Sequence, residues 1–395
     1  MTATMLDRLD QQSPDALLAL IKLHNADPRE DKIDLGVGVY KTADGATPVF
    51  RAIKDAEQRL VDRQQSKSYL GPEGDMAFVR ALEPHVFGTA LPSGGRIDGM
   101  QTPGGTGAVR LAFGLAKKAG ITRVFMGVPS WPNHAQILDD LGLEAVPFDH
   151  ATSDGTADMA ALRQVLANAG EGDALLLHGC CHNPTGVDYT PVQWDAIASL
   201  LADSAMLPVI DLAYQGLGDG MDEDAYGLRT VSAAVPELLV AYSCDKNFGL
   251  YRDRVGAFWV QSAIADTTVR AISNAAALAR ANWSMPPDHG GAAVRMVLED
   301  EALTASWLAE LASMRERIGE VRARLAAAGH AGGVDLAPLG RQKGMFAMLP
   351  VSAAQVQTLR DAHGVYMAGS GRINVAGLTM TNVDRFVAAL DAVTG

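Results

Sequence analysis

Short apolar runs alternate with amphipathic stretches over the first three hundred or so residues of the chain. Glycine, proline or polar residues bound each run, which is typical of buried strands. The clearest runs are RVFMGVPSW (123–131), ALLLHGCCHNPTG (174–186), LPVIDLAYQG (207–216), LLVAYSCDKN (238–247) and GAFWVQ (256–261). Between them, segments such as GGTGAVRLAFGLAKKAG (104–120) carry apolar side chains at helical spacing. This alternation predicts a doubly wound α/β core in which these runs are buried parallel strands.

The pattern changes after about residue 300. A long charged helix is predicted over 301–329, followed by the apolar run GMFAML (344–349), another helix, and GVYMAGSGRINVAGL (364–378). These features indicate a second, smaller α+β domain. The first forty-odd residues fit either unit on their pattern alone.

Charge and composition exclude several classes of partner. The formal net charge is −13 and the sequence has no run rich in lysine and arginine, so we expect no nucleic acid or membrane partner. No apolar run approaches the length of a membrane-spanning helix, and the N-terminal segment lacks the apolar core of a signal peptide. The three cysteines form neither a disulfide framework nor a zinc spacing. We therefore expect a cytoplasmic protein without a metal site.

Polar side chains follow the apolar runs directly. Ligands of open α/β sheets gather at the carboxyl ends of the strands, so these side chains are candidates for one shared site. They provide an amine, a carboxylate, a phenol, an amide and a guanidinium. The candidates are Trp131, His134, Asn183, Asp211, Tyr214, Ser243 and Lys246, with Arg254 just before the last run.

The segment TPGGTGAVRL predicts a phosphate site. Gly104, Gly105 and Thr106 open a helix there, and backbone N–H groups at a helix N-terminus suit phosphate. The chain has neither the G-x-G-x-x-G fingerprint nor a Walker loop, which favours a phosphorylated cofactor smaller than a dinucleotide.

Arg372 lies in an otherwise apolar and small-residue segment, where an unpaired guanidinium is costly to bury. Two anions could satisfy it. One is the carboxylate of an Asp or Glu in a structural salt bridge, and the other is a substrate carboxylate bound by both arms of the guanidinium.

Ten ordered motifs together resemble the aspartate/aromatic branch of the class I aminotransferases, which are pyridoxal-phosphate enzymes of fold type I. They are KIDLGVGVYKTADGATPV, SYLG, QTPGGTGAVRL, PSWPNH, HGCCHNPTG, DLAYQG, KNFGLY, DRVG, RANWS and SGRINVAG. The resemblance implies a large doubly wound, mostly parallel domain at 47–310. It also implies a smaller α+β domain made of 311–395 and part of 1–46, which includes an N-terminal arm. The family forms homodimers with shared active sites, so we expect the same here.

The resemblance also implies roles for the candidate residues. Lys246 would bind pyridoxal 5′-phosphate covalently and carry a proton between the substrate Cα and the cofactor, while Asp211 would pair with the pyridine nitrogen. Further contacts to the ring are implied for Tyr214, Asn183 and Trp131, with His134 supporting Asp211. An Asn183–Pro184 cis peptide is expected.

Phosphate and substrate contacts follow from the same resemblance. For the phosphate it implies Gly105, Thr106, Ser243 and Arg254, with Tyr69 contributed by the partner subunit. For the substrate it implies Gly38, Trp131, Asn183, Arg372 on the α-carboxylate, and Arg280 of the other subunit on a distal carboxylate. Two arginines would select amino acids with two carboxylates.

Four residues depart from the common pattern of the family: Asp245, Trp283, Met285 and Ser68. A carboxylate beside Lys246 would raise the pKa of that amine, so we expect Asp245 to point elsewhere. Met285 and Ser68 would make the substrate pocket more apolar and adaptable. Such a pocket makes aromatic substrates plausible. Val39, Lys41, Thr47 and Thr106, however, resemble the aspartate-type choices of the family. We therefore expect amino transfer mainly from aspartate or glutamate to 2-oxo acids such as 2-oxoglutarate.

Three alternatives stay open on the sequence. The main activity could be aromatic amino acid transamination, or the fold could carry out another pyridoxal-phosphate reaction such as β-decarboxylation or β-elimination. A non-catalytic binding protein that keeps the fold is the alternative from outside enzymes.

Overall fold

The computed structural model of the protein describes residues 5–11, 16–88, 91 and 94–395. Strands in this part of the chain are β1 (Ile33–Asp34), β2 (Ile97–Pro103), β3 (Arg123–Val128), β4 (Glu144–Asp149), β5 (Asp173–His178), β6 (Leu207–Leu212), β7 (Leu238–Ser243), β8 (Val255–Gln261), β9 (His330–Ala331), β10 (Val334–Asp335), β11 (Phe346–Met348), β12 (Val365–Tyr366) and β13 (Arg372–Asn374). Its α-helices are α1 (Ala16–Ala26), α2 (Arg51–Arg63), α3 (Met76–Phe87), α4 (Gly104–Lys118), α5 (Pro132–Leu141), α6 (Met159–Ala167), α7 (Pro191–Ala202), α8 (Tyr226–Ala234), α9 (Ala265–Asn282), α10 (Asp288–Glu299), α11 (Glu301–Ala327), α12 (Ala353–His363) and α13 (Val383–Thr394). Short 3-10 helices occur at Leu6–Arg8, Ala337–Gly340 and Val375–Gly377.

Seven strands form the central sheet in the order β2–β8–β7–β6–β5–β3–β4. The strands from β3 to β7 pair in parallel, whereas β8 runs antiparallel to both β2 and β7. The predicted α/β class and mostly parallel sheet are confirmed. The parallel direction expected for residues 256–261 is wrong, because the loop 244–254 contains no crossover helix and returns the chain directly alongside β7.

Helices cover both faces of this sheet. Successive strand residues point to opposite faces, and in β5 Leu175 and Leu177 belong to one apolar cluster while Ala174 and Leu176 belong to another. Helices α2, α3, α7, α8, α10 and α11 pack on the first cluster, and α4, α5 and α9 pack on the second. Burial on both faces explains why the strands read as continuous apolar runs.

Local sequence signals fix where several helices begin. In α7, Thr190 and Gln193 form a reciprocal capping box, and in α12 Ser352 and Gln355 form another. The side chain of Asp300 accepts two backbone N–H bonds at the start of α11. These caps satisfy backbone donors that would otherwise lack partners.

A third apolar cluster joins Ile33 and Leu35 to residues between 321 and 390. The pairing of β1 with β12 is parallel, and β11 pairs antiparallel with β13. These contacts support the expectation that part of 1–46 belongs to the same small domain as 311–395. The boundaries of that domain stay a prediction. Helix α11 continues through the proposed boundary at 310/311 and changes clusters between Ile318 and Val321.

Across the described ranges, none of the helices combines the length and the apolar character needed to cross a membrane.

Trp307 of α11 fixes the loop that follows β7. Its indole is fully buried, stacks on Phe248 at 4.3 Å between ring centroids, and donates from Nε1 to the Asn247 carbonyl at 2.6 Å. The helix thereby holds the residue that directly follows Lys246.

We expect Trp307→Ala to lower the free energy of unfolding by about 3–5 kcal/mol, since it removes a buried aromatic side chain and leaves a cavity. Urea unfolding of the full chain measures this loss. The neighbouring Leu308 is 38% exposed, so Leu308→Ala is the matched control and should cost under about 1 kcal/mol. Equal losses in the two variants would contradict the assigned packing.

Candidate active site

A cavity of about 300 Å³ opens at the carboxyl edge of the sheet, where β5, β6 and β7 end. Its volume is typical of small-molecule sites. The sequence-predicted residues that line it are Gly38, Gly105, Thr106, Trp131, Asn183, Asp211, Tyr214, Ser243, Lys246, Arg254 and Arg372. Seven of the eight candidates named at the strand ends thus line one cavity, and His134 does not. Their individual roles stay predictions.

Asp211 is the next-to-last residue of β6, and its two carboxylate oxygens have different surroundings. Its Oδ2 lies 3.0 Å from Nε2 of His134, in the first turn of α5. Its Oδ1 is buried and has no hydrogen-bond partner among the described residues. A buried acceptor without a partner costs about 1–3 kcal/mol, so this oxygen is suited to a donor from a ligand.

Behind Asp211 lies a column of histidines. The Ser130 hydroxyl is 3.0 Å from Nδ1 of His134 and 3.1 Å from Nε2 of His178, and the His178 ring lies 4.1 Å from that of His182. His150 continues the column, stacked on His182 at 3.6 Å. Burial lowers the pKa of His178 and of His182 well below the usual value, and lowers that of His150 to about 4. These three imidazoles are therefore neutral at physiological pH.

Lys246 lies in the loop after β7, and its Nζ is 5.2 Å from the centroid of the Tyr214 ring. Burial lowers the pKa of this amine from its ordinary value. The negative charges of Asp245 and Asp211 raise that pKa, while Arg254 lowers it, so burial outweighs the carboxylates. A larger fraction of the amine is therefore unprotonated and nucleophilic near neutral pH.

Asn183 and Tyr214 form a hydrogen-bonded pair in the cavity wall. The Asn183 Nδ2 donates to the Tyr214 hydroxyl at 3.3 Å, and the Asn183 Oδ1 is buried without a partner in the described part of the chain. Burial, with Asp211 nearby, raises the pKa of Tyr214, which keeps the phenol protonated. The Asn183–Pro184 peptide is cis as expected, and Val128–Pro129 is a second cis bond that the sequence analysis missed.

The start of α4 forms another part of the wall. Gly104 has φ +71°, and a Cβ on Gly105 would lie 2.9 Å from the Cβ of Ser243, so both positions favour glycine. Thr106 and Ser243 add hydroxyl groups to the backbone N–H groups of this helix end. Arg254, whose φ is +58°, brings a guanidinium to the same place.

Asp245 lines this cavity, contrary to the expectation that it points elsewhere. Its Oδ2 accepts from Nη1 of Arg254 at 2.6 Å, and its Oδ1 accepts from the backbone N–H of Val255 at 3.2 Å. The reason is electrostatic and local. A carboxylate that is only 2% exposed pairs with the nearest guanidinium, and that guanidinium already belongs to the site.

Arg372 begins β13, and its Nη2 donates to the Gly36 carbonyl at 2.9 Å. None of the salt bridges between described residues involves it. Its Nε is buried without a partner in the same set of residues, and burial lowers its pKa. Of the two anions considered for Arg372, the structural carboxylate is therefore not found, and its guanidinium faces the cavity.

Several predicted residues do not line this cavity. Tyr69 is 91% exposed, Arg280 at the end of α9 is also exposed, and Ser68 is exposed beside Tyr69. Met285 lies near this segment, since the backbone N–H of Leu70 is 3.1 Å from its sulfur.

Other lining residues were missed in the sequence, including Tyr251, Phe346 and Val37. Tyr251 ends the motif KNFGLY, five residues after Lys246, and its hydroxyl accepts from the backbone N–H of Tyr40 at 3.0 Å. That spacing was a usable signal. Phe346 and Val37 look like ordinary core residues in the sequence and gave no such signal.

Cys180, Cys181 and Asp224 bring ligand-type atoms within 4.8 Å of one another. All three cysteines of the chain are buried free thiols, and the pKa values of Cys180 and Cys181 are raised, with burial a cause in both. Asp224 accepts three backbone N–H bonds, from Gly216, Gly218 and Asp219. This cluster is accounted for by protonated thiols and a hydrogen-bonded carboxylate.

Comparison with known proteins identifies the family. The family model "Aminotransferase class I and II" matches residues 30–390. The chain is 47% identical to a tyrosine aminotransferase of Rhizobium meliloti (strain 1021), over 95% of this chain and 96% of the relative. It is 42% identical to an aspartate aminotransferase of Salmonella typhi, over 98% and 100% of the two chains. The chain belongs to the class I and II aminotransferases.

A solved structure supports the same assignment for the fold. An aromatic-amino-acid aminotransferase of Burkholderia pseudomallei, solved covalently bound to pyridoxal phosphate, superimposes with a TM-score of 0.94 at 34% identity and covers both chains completely. The aminotransferase described here therefore has the fold type I architecture that its motifs predicted, and the resemblance found in the sequence is confirmed.

In this aminotransferase, the charge of Asp211 raises the pKa of Lys246, so Asp211→Asn should lower that pKa further. We expect acylation of Lys246 in the cofactor-free full chain to reach its half-maximal rate at a lower pH in the variant. Mass spectrometry of the acylated peptide against pH measures this. Acylation of the exposed Lys54 is the internal control and should be the same in both proteins. A shift of the Lys246 profile to higher pH would contradict the assigned electrostatics.

Proposed function

We propose that this aminotransferase uses pyridoxal 5′-phosphate to move amino groups between L-aspartate or L-glutamate and 2-oxo acids such as 2-oxoglutarate, by double displacement. The observation that carries the proposal is one cavity that holds a partly buried amine together with buried polar atoms lacking partners among the described residues. Those atoms are Asp211 Oδ1, Asn183 Oδ1 and Arg372 Nε. An acidic N–H would satisfy Asp211 Oδ1, a phenolic O–H would satisfy Asn183 Oδ1, and a carboxylate would satisfy Arg372 Nε.

The residues present fit the cofactor. Lys246 would hold it covalently, Asp211 Oδ1 would accept the pyridine N–H, and Asn183 with Tyr214 would face the phenolic oxygen. Trp131 would pack on the ring. The N–H groups at the start of α4, with Thr106, Ser243 and Arg254, would hold the phosphate. When bound, pyridoxal phosphate supplies an electron sink that makes the substrate Cα–H acidic.

The protein's own groups then have three tasks. Arg372 binds the substrate α-carboxylate through its free Nε edge and so orients the Cα–H bond. Lys246, whose pKa is lowered by burial, would carry the proton from the substrate Cα to the cofactor in the first half of the exchange, and from the cofactor to Cα of the new amino acid in the second half. Asp211, held by His134 at 3.0 Å, keeps its negative charge aimed at the ring nitrogen.

We further propose a homodimer in which Tyr69 and Arg280 of one subunit complete the site of the other. Both side chains are exposed in the single chain and neither lines its own cavity. An exposed tyrosine beside the exposed Leu70 is typical of a surface covered by a partner. We also propose a cytoplasmic location, which the three free thiols favour.

A second candidate is aromatic amino acid transamination as the main activity. The polarizable sulfur of Met285, next to the segment that carries Ser68 and Tyr69, would adapt to an aromatic side chain. Among the relatives, those named for tyrosine or aromatic amino acids match the chain as well as those named for aspartate.

Visible absorbance of the purified protein tests the reaction. We expect a yellow band whose intensity depends on pH, which an amino donor bleaches and 2-oxoglutarate restores; comparing L-aspartate with L-phenylalanine ranks the two candidate activities. Lys246→Ala should show no turnover, because it removes the base. A protein that pyridoxal phosphate cannot colour, or a variant with wild-type transamination rates, would overturn the proposal.

Hybrid dimers test the shared site. We expect Lys246→Ala and Arg280→Ala proteins to be inactive singly at low aspartate concentration, and a refolded mixture of the two to regain aspartate turnover. In the hybrid, one site combines an intact Lys246 with an intact Arg280 of the partner. The control is a mixture of Lys246→Ala with Asp211→Asn, whose hybrids carry one defect in each site. No recovery in the first mixture would place Arg280 in its own subunit's site.

A further inference from the structure

We propose that Asp245 weakens the hold of the phosphate subsite on a doubly charged phosphate. The phosphate subsite is defined here as Gly105, Thr106, Ser243 and Arg254. This inference rests on the proposed function, since it assumes that the phosphate of pyridoxal phosphate binds there. It concerns a residue that departs from the family pattern and that the proposed mechanism does not use.

The geometry places a carboxylate inside the subsite. Asp245 is 2% exposed, lines the cavity together with Ser243 and Arg254, and accepts from Nη1 of Arg254 at 2.6 Å. The other arm of that guanidinium faces the start of α4, because Nη2 lies 2.6 Å from the position of a Cβ on Gly104. Arg254 can thus donate to a phosphate while it stays paired with Asp245.

Charge then decides the effect of Asp245. The charged groups around it are Arg254 and Lys246, with the carboxylate of Asp211 farther along the cavity, and the titratable groups are the Tyr251 phenol and the Cys244 thiol. Asp245 offsets the positive charge of Arg254, so the subsite offers hydrogen-bond donors with a formal charge near zero. A second negative charge on the phosphate would gain little from Arg254 and would be repelled by the buried carboxylate.

Substitutions at position 245 can separate the effect of the side chain's charge from the effect of its shape. Asp245 also accepts from the backbone N–H of Val255 at 3.2 Å, and this contact helps to hold Arg254 in its left-handed backbone conformation. Asparagine has nearly the same shape as aspartate and can still accept through its oxygen, but it carries no charge. Serine removes both the charge and most of the side chain.

The test measures ligand affinity directly in the full chain freed of cofactor. Dissociation constants for pyridoxamine 5′-phosphate, which forms no covalent bond to Lys246, and for inorganic phosphate are measured by equilibrium dialysis for the wild-type protein, Asp245→Asn and Asp245→Ser. We expect both variants to bind about tenfold more tightly at about pH 8, where phosphate is a dianion. The gain should shrink at about pH 5.5, where phosphate is mostly a monoanion.

Asp173→Asn is the matched control. Asp173 is equally buried and accepts two bonds from Arg123 at 2.8 Å, but it begins β5, at the edge of the sheet opposite the cavity. This control should leave both dissociation constants unchanged. Unchanged or weaker binding by both Asp245 variants would overturn the inference and would leave Asp245 as a residue that positions Arg254.

Failure of the proposed function gives a different result. A wild-type protein that binds neither pyridoxal phosphate nor pyridoxamine phosphate would overturn the proposed function and this inference together. Tight binding by the wild-type protein without a gain in either variant would overturn the inference alone.

Discussion

The chemistry available in the cavity depends on one physical constraint, the partial burial of the Lys246 amine. Lys246 is held at the end of a strand buried on both faces, and the next residue is tied to Trp307 of a helix that packs on the same apolar cluster. Two carboxylates nearby favour the ammonium form, yet burial lowers the pKa of this amine. A nucleophilic lysine therefore results from the packing of α11 and β7 against the sheet as much as from its immediate neighbours.

In the proposed function the carboxylate of Asp211 has the opposite requirement, since it would have to stay charged and keep one oxygen free for the ligand. His134 contacts one oxygen of Asp211 and is hydrogen-bonded through Ser130 to His178. Burial lowers the pKa of His178 and keeps that ring neutral. The rings of His182 and His150 continue the column away from the cavity. The column fixes the direction of Asp211 and leaves its negative charge to act on the ligand side.

The sequence predicted most of the fold and the membership of the site, because both follow from local patterns. Apolar runs buried on two faces located the strands, and the rule that ligands gather at strand ends brought Asp211, Asn183 and Lys246 together. The direction of β8 was predicted wrongly because it depends on the length and conformation of the preceding loop. The pattern of apolar residues carries no information about either. Asp245 was misjudged for a related reason, since a side chain's direction depends on the partner it finds in three dimensions, here Arg254.

The number of cations in the cavity bears on the proposed binding of a substrate with two carboxylates. The cationic side chains that line it, among described residues, are Lys246, Arg254 and Arg372. Arg254 is already paired with Asp245, and the proposed function assigns the role of the base to Lys246, which leaves Arg372 for one carboxylate. A second carboxylate, buried without a partner, would cost several kcal/mol, on the order of 3–5 by analogy with broken buried ion pairs. Under the proposed function, the second carboxylate of aspartate or glutamate would pair with a cation of the partner subunit, and the exposed Arg280 is the residue proposed for that role.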